Sequence, residues 1–307
     1  MNKICHLLHV PFTGLGLFQG FRGNVFLKNR IKIFKQFVIS SLQQQTNKNF
    51  VLWCAFRHEE KTNPLIKELQ EYMATIKEFK TVFTFAGICF YDDKYPDEIA
   101  RERLVNSVHG SIGSLLDVIG ECDSVLMTIQ PSDDCYHRNA IEAIQKGFEE
   151  NPQLEAIGFS KGYICNYLTR EVKNYNPQTN PPFYTVKFPR EVFIDPLRHI
   201  AFTKLKQDVN QYKAGTPLPS HEYPVYVFGK NYGIINERGF CVGCHGENVS
   251  TGFNIPYAGE FVSDEVLRDF AINDKIKIDI GLKRKLLYKL PHKIRRKIRY
   301  WQEKRQI

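Results

Sequence analysis

Apolar positions along the first 130 residues follow two spacings in turn. Short apolar runs rich in β-branched or aromatic residues predict strands over 3–10, 50–56, 81–86 and 124–129. Between them the spacing lengthens to that of helices. Phe34, Phe37, Val38, Ser41 and Leu42 share one face, as do Leu65, Leu69, Tyr72, Met73 and Ile76, and again Leu104, Val108, Ile112, Leu115 and Ile119. Strand and helix alternating in this order predict an α/β fold. Its sheet is expected to be Rossmann-type and mostly parallel, with right-handed crossovers and helices on both faces. Ligands of such sheets sit beyond the carboxyl ends of the strands. The second half is less regular. NYNPQTNPPFYT at 174–185 and AGTPLPSHEYP at 214–224 separate short strand candidates and read as loops suited to substrate recognition.

With 307 residues, 43% of them hydrophobic, the chain can bury the core of one large α/β domain. No apolar run approaches the roughly 18 residues that a bilayer requires, so a soluble protein is expected. The first residues, MNKICHLLHVPF, read as a buried strand, because two histidines interrupt the apolar run and no small-residue cleavage site follows. Eight scattered cysteines predict reduced thiols in a cytoplasm-like compartment.

The net charge of +9 is concentrated at one end: 31 of the 42 basic groups and 32 of the 33 acidic groups fall before Lys283. The main body is therefore neutral, and the chain divides into a catalytic-sized unit, 1–280, and a basic tail, 281–307. Leu286, Leu290, Ile294, Ile298 and Trp301 fall at helical spacing in the tail, and Pro291 splits it into two short helices. Such a segment suits an anionic membrane surface, packing onto the main domain, or nucleic acid.

Residues 239–253, GFCVGCHGENVSTGF, contain Cys241, Cys244 and His245 in the C-x-x-C-H spacing of covalent haem attachment. Haem would need a second axial ligand and an oxidising compartment, and structural zinc a second ligand pair. Neither is visible, and two buried strand cysteines account for the motif more simply.

The turn at 130–134, QPSDD, follows the fourth strand and precedes a helix carrying Ala140, Ile141 and Ile144. Ser132 or Asp133 there is suited to capping the helix. Adjacent carboxylates at a strand's carboxyl end are equally suited to a hard cation, Mg²⁺ or Mn²⁺, with part of its shell left for phosphates.

Several blocks, in order, resemble one family. The run S-L-x-x-Q-T-x-x-N-F ending at Phe50, the QPSDD turn, GFSKGYI at 158–164, PPFYTVKFPREVFID at 181–195 and the element His245, Gly246, Asn248, Ser250, Thr251 are similar to the rhamnosyltransferase-like glycosyltransferases of the GT-A fold, found in bacteria and some large viruses. The resemblance spans roughly residues 20–255. It implies a GT-A-like sheet and transfer of a sugar, rhamnose or another deoxysugar, from a nucleotide-sugar donor to a glycan or lipid-linked acceptor with inversion. It places Asp133 as donor and metal ligand, Asp134 beside it as a catalytic carboxyl, His245 as the late metal ligand and Arg22 as a donor contact. Pro131 stands where the family's first aspartate is usual, which removes one expected contact to the donor ribose.

A base for the acceptor hydroxyl is assigned to Glu222, ahead of Glu247 and Asp264. Arg101 and Arg103 read as ordinary residues of a helix surface. The expected partners are donor, acceptor and, through 283–307, an anionic membrane surface, which would place a cytoplasmic protein at the membrane's inner face. The competing reading is a non-enzymatic membrane or nucleic-acid adaptor acting through the tail.

Overall fold

The computed structural model describes residues 3–12, 24–87, 95–177, 184–203, 229–246, 248, 252–255, 258–278 and 294. Arg22, His221, Glu222, Glu247, Ser250, Thr251 and all of the basic tail except Ile294 lie outside these residues, as does the proposed boundary at 281.

β1 (Ile4–Pro11), β2 (Val51–Arg57), β3 (Lys80–Gly87) and β4 (Ser124–Ile129) form a parallel set in the order β4-β1-β2-β3. Each matches a predicted strand. β1 is buried on both sides, as a central parallel strand must be. Its alternation divides the core. Leu7 joins Trp53, Leu104, Ile112, Val125 and Phe188 on one face, and Leu8 joins Leu27, Phe34, Leu52, Phe56 and Leu69 on the other.

The helices follow their predicted faces. α1 (Asn24–Ile33) runs without interruption through a π-helical stretch, Phe34–Ile39, into α2 (Ser40–Gln43). α3 (Pro64–Thr75) buries Ile66, Leu69 and Met73. It begins where the Asn63 side chain accepts from Leu65 N and Pro64 occupies the first helical position. α4 (Asp97–Gly113) covers the opposite face, followed by the short α5 (Leu116–Ile119).

The sheet as a whole is mixed, which corrects the expectation of a mostly parallel one. β5 (Cys135–Tyr136) leads into α6 (Ala140–Glu150), and β6 (Ala156–Asn166), β7 (Val172–Tyr175) and β8 (Tyr184–Pro189) then follow. β8 lies antiparallel between β4 and β6, and β7 is antiparallel to β6. The loop joining β6 to β7 is far shorter than the dozen or so residues of a parallel crossover, so antiparallel pairing is what it permits; β8 also runs against β6, beside the other end of that strand from β7. α7 (Arg190–Phe193) and α8 (Pro196–Thr203) close that side.

β9 (Tyr232–Cys244) pairs in parallel along the whole of β6 and also holds β5, while β10 (Ala258–Phe261) forms an edge on β7. β6 and β9 run past the carboxyl end of β4 and curl over it. Beneath the curl, Phe37 stacks on Tyr167 with ring centroids 4.0 Å apart, among Cys135, Cys165, Cys241, Leu267 and Phe270. No described helix is long and apolar enough to cross a membrane.

Phe37 thus ties the π-helical stretch to the second half of the sheet. Phe37→Ala is expected to cost about 3–5 kcal/mol, the usual range for emptying a buried ring site. A shift of the urea midpoint much smaller than this would show that the two halves do not depend on that contact.

Candidate functional site

The chain leaves β1 for β2 and β3 on one side, then returns to place β4 on the other. The gap between β1 and β4 is therefore a topological switch point, where connecting loops part and leave a crevice at the carboxyl ends of the strands. The QPSDD turn stands at that crevice. Gln130 N donates to His9 O at 2.9 Å, extending the pairing of β4 with β1. The buried Gln130 side chain then closes the turn, donating from Nε2 to the carbonyls of Pro131 and Asp134, each at 2.8 Å.

Strand β9 fastens the turn from the other side. Gly243 N donates to Asp134 Oδ1 at 2.8 Å, and Tyr167 Oη donates to Asp133 O at 2.9 Å. A side chain at Gly243 would not fit: its Cβ would lie 2.3 Å from both Asp133 O and the Tyr167 ring. The chain turns sharply just after, at Gly246, whose φ of 89° suits glycine. That turn brings Asn248 back, its Oδ1 accepting from His245 N at 2.7 Å and its Nδ2 donating to Gly243 O.

These supports aim three donors at one oxygen. Asp133 Oδ2 meets the guanidinium of Arg30, His245 Nε2 at 3.0 Å and Asn248 Nδ2 at 3.4 Å. The Arg30 and His245 side chains are 4% and 0% exposed, so this is a charged pair taken out of water. Oδ1 of Asp133 accepts no hydrogen bond among the described residues, and the side chain is 15% exposed. One oxygen is held by three donors and the other has no partner among the described residues.

The two acids differ accordingly. Burial pushes the Asp133 carboxyl up, but Arg30 and the His245 hydrogen bond overcome this and hold it at about 2. Asp134 is raised well above the ordinary range, first by burial and then by the neighbouring Asp133 charge, and keeps its proton more readily.

The continuous helix α1–α2 grips both ends of the acidic segment. Arg30 holds Asp133 from the first half. From the second half Ser41 Oγ donates to Tyr136 O at 2.7 Å and accepts from Tyr136 N at 3.1 Å, while Gln45, just past the end of the helix, accepts from Ile141 N at 3.2 Å. The π-helical turn between them widens the helix, a departure frequent at functional sites.

Of the residues singled out in the sequence, Asp133, Asp134, His245 and Asn248 converge here. Arg22, Glu222 and Glu247 lie outside the described residues. Asp264 is 55% exposed and pairs with Arg170 at 3.2 Å. Arg103 stacks its guanidinium on Tyr95 at 4.0 Å, and neither it nor Arg101, both on α4, pairs with Asp133. Cys241 and Cys244 are buried in separate core clusters on opposite sides of β9, where a haem could not bond to both. Arg30, Tyr167 and Gln130 were not singled out. For Arg30 the signal was present: a cation set between Phe26 and Phe34 at four-residue spacing, in the middle of an apolar face.

Among the described residues no three His, Cys, Asp or Glu side chains are grouped to hold a metal ion. Asp133 and His245 supply two donors, which fits a hard cation that completes its shell with water and phosphate oxygens. Such a cation would compete with the hydrogen bond between them, since His245 Nε2 must offer its lone pair to bind it.

Arg30→Ala strands the Asp133 charge and is expected to destabilise by about 3–5 kcal/mol. Adding Asp133→Asn removes that charge, so the double variant should melt above Arg30→Ala alone; equal melting would dismiss the pair as a structural support. Asp134 has the opposite linkage. Its raised folded-state pKa contributes stability fully present below the ordinary carboxyl range and lost as pH rises. Asp134→Asn keeps an acceptor for Gly243 N, so relative to the parent it should gain stability between pH 4 and pH 7 in urea titrations. A difference independent of pH would contradict the assignment.

No protein-family model matches this sequence, and no curated protein matches it by sequence. Solved structures similar to it at low identity include mouse xyloside xylosyltransferase 1 in its apo form, at 12% identity and a TM-score of 0.36, covering 76% of this chain and 85% of that one. TarS of S. aureus is 11% identical with a TM-score of 0.30, covering 90% of this chain and 40% of that one. HddC of Yersinia pseudotuberculosis is 10% identical with a TM-score of 0.28, covering 88% and 96%.

Proposed function

We propose that this chain is a glycosyltransferase of the GT-A type, moving a sugar from a nucleotide-sugar donor to a glycan or lipid-linked acceptor. The observation that carries the reading is the convergence of Asp133, His245 and Arg30 at the carboxyl end of β4, beside the switch point of the sheet. The motif order that resembles the rhamnosyltransferase-like group supports it, and a deoxysugar such as rhamnose is the donor we assign on that ground.

The chemistry asks for positive charge. Breaking the bond between sugar and nucleotide passes through an oxocarbenium-like state while negative charge grows on the departing diphosphate. A divalent cation, Mn²⁺ or Mg²⁺, held by Asp133 and His245 would offset that charge as a Lewis acid. Arg30 keeps Asp133 ionised across the physiological range, while Asn248 fixes the His245 backbone and Gly243 N the acidic turn, so both are in place without reorganisation. Asp134 anchors the turn to β9 within reach of the same centre. We assign Arg22 to the donor diphosphate and Glu222 to the acceptor proton; attack from the face opposite the leaving group inverts the anomeric centre. The tail over 281–307 is assigned to an anionic membrane surface, where a lipid-linked acceptor would be found.

Thermal melting of the full chain with UDP-, GDP-, CDP- and dTDP-sugars, with and without Mn²⁺, tests the reading. A native-state ligand raises the melting temperature once its concentration exceeds its dissociation constant. One nucleotide class should do so, more strongly with metal. No shift with any, in a cooperatively melting protein, would sink the proposal. Asp133→Asn and His245→Ala should each lower kcat by about 100-fold or more. Turnover that persists undiminished in EDTA would assign the charge compensation to Arg30 alone.

A further inference from the structure

We propose a second binding pocket, separate from the Asp133 centre, that takes one neutral pyranose ring. It is a cavity of about 190 Å³ beside the irregular stretch of the β6–β9 pairing, roofed by the 3-10 turn Asp264–Phe270. This is smaller than the roughly 300–1,000 Å³ of sites for drug-sized ligands, so its occupant is a single ring and not a nucleotide.

A distortion in β9 builds the pocket. Phe159 pairs with Ile235, but Lys161 pairs with Arg238 and Gly162 with Phe240, so β9 spends two extra residues between Ile235 and Phe240. Bulges of this kind re-aim side chains, and here Glu237, Arg238 and Gly239 become part of the lining. Gly239 has no room for a Cβ, which would lie 2.1 Å from the Phe159 ring, so the backbone packs flush on that ring.

The walls carry the two chemistries that a sugar ring presents. Tyr163 and Phe270 meet edge to face at 5.8 Å, and His137 meets Phe270 at 5.5 Å, giving aromatic surface for the apolar face of a pyranose. Glu237 and Asp269 offer carboxylate acceptors for hydroxyl groups. Glu237 is exposed and makes no hydrogen bond or ion pair among the described residues. His137 Nδ1 accepts from Asn139 N at 3.2 Å, so Nε2 carries the proton; it stands 3.7 Å from Asp269, too far for a hydrogen bond and open to a ligand oxygen.

Charge excludes other occupants. Arg238 is spent on Gly162 O at 2.7 Å and on the Tyr163 ring, and Arg138 balances Asp269 at 3.3 Å. A phosphate would meet two carboxylates, and the described cations beside them, Arg238 and Arg138, already have partners, whereas a neutral polyhydroxyl ring meets no like charge. Gly239 lies four residues before Gly243 on β9, roughly 13 Å away at strand spacing. In the proposed transferase, on which this role alone rests, the pocket would hold a non-reacting unit of the acceptor glycan.

The test is saturation-transfer NMR of the full chain with methyl β-D-glucopyranoside and methyl α-L-rhamnopyranoside, without nucleotide. Ring-proton transfer is expected in the parent and in Asp133→Asn. Glu237→Ala should bind about tenfold more weakly, the effect of losing a hydrogen bond to a charged group. Because Glu237 is exposed and has no hydrogen bond or ion pair among the described residues, its loss leaves the fold intact. Binding that disappears in Asp133→Asn and survives in Glu237→Ala would put the sugar in the transfer centre, overturning the pocket and sparing the transferase. Absence of transfer from both glycosides overturns the pocket as well; nucleotide-dependent melting then decides the transferase independently.

Discussion

One buried negative charge organises the second half of this molecule. The Asp133 carboxylate sits in a nearly dry setting, where an uncompensated charge would cost several kcal/mol. Its compensation comes from two places distant in sequence: Arg30 on α1, and His245 with Asn248 just past β9. Each of these must itself be held. The helix that carries Arg30 is pinned by the stacking of Phe37 on Tyr167, and the Tyr167 hydroxyl returns to Asp133 O. The support is circular, so a change at any member is felt at the others. Gly243 lies inside that ring of contacts, where a Cβ would press on both Asp133 O and the Tyr167 ring.

The division of labour between the two halves of the sheet follows from connection length. Long crossovers through α1–α2, α3 and α4 make β1 to β4 parallel and open a crevice at their carboxyl ends. The short β6–β7 connection makes that pair antiparallel, β8 runs against both β4 and β6, and β6 and β9 extend beyond the carboxyl end of β4. The first half supplies the place and the second supplies the groups that face it. A single acidic turn, bonded to His9 on one side and to Gly243 on the other, is where the two meet.

Much of this was legible in the chain. The four parallel strands and the three helix faces are readable because burial on one face imposes a period, and each appears within a few residues of its expected position. Asp133, Asp134 and His245 were readable because acids at a strand's end and a late histidine stand out by residue type. The mixed sheet was not, because alternation of strand and helix stops at residue 156 and nothing in a short apolar run states its direction. Arg30 was overlooked because a lysine- and arginine-rich stretch looks like a solvated helix face; only its position between Phe26 and Phe34 marks it as inward. Tyr167 resembled any core aromatic, since its hydroxyl bond to Asp133 O depends on a fold that joins residues 34 apart.

The cysteines that first drew attention as a motif have a different consequence. All seven described ones, Cys5, Cys54, Cys122, Cys135, Cys165, Cys241 and Cys244, are buried and unbridged. Burial pushes the thiols of Cys5, Cys54, Cys122, Cys135, Cys241 and Cys244 upward in pKa, so these six carry little thiolate, and reagents have little access to any of the seven. These thiols are distributed over all four apolar clusters, on both faces of the sheet and beneath the acidic turn. Each therefore acts as a built-in clock for the opening of its own layer. The order in which they become alkylated under native conditions would trace which part of the fold loosens first, without the introduction of any foreign label.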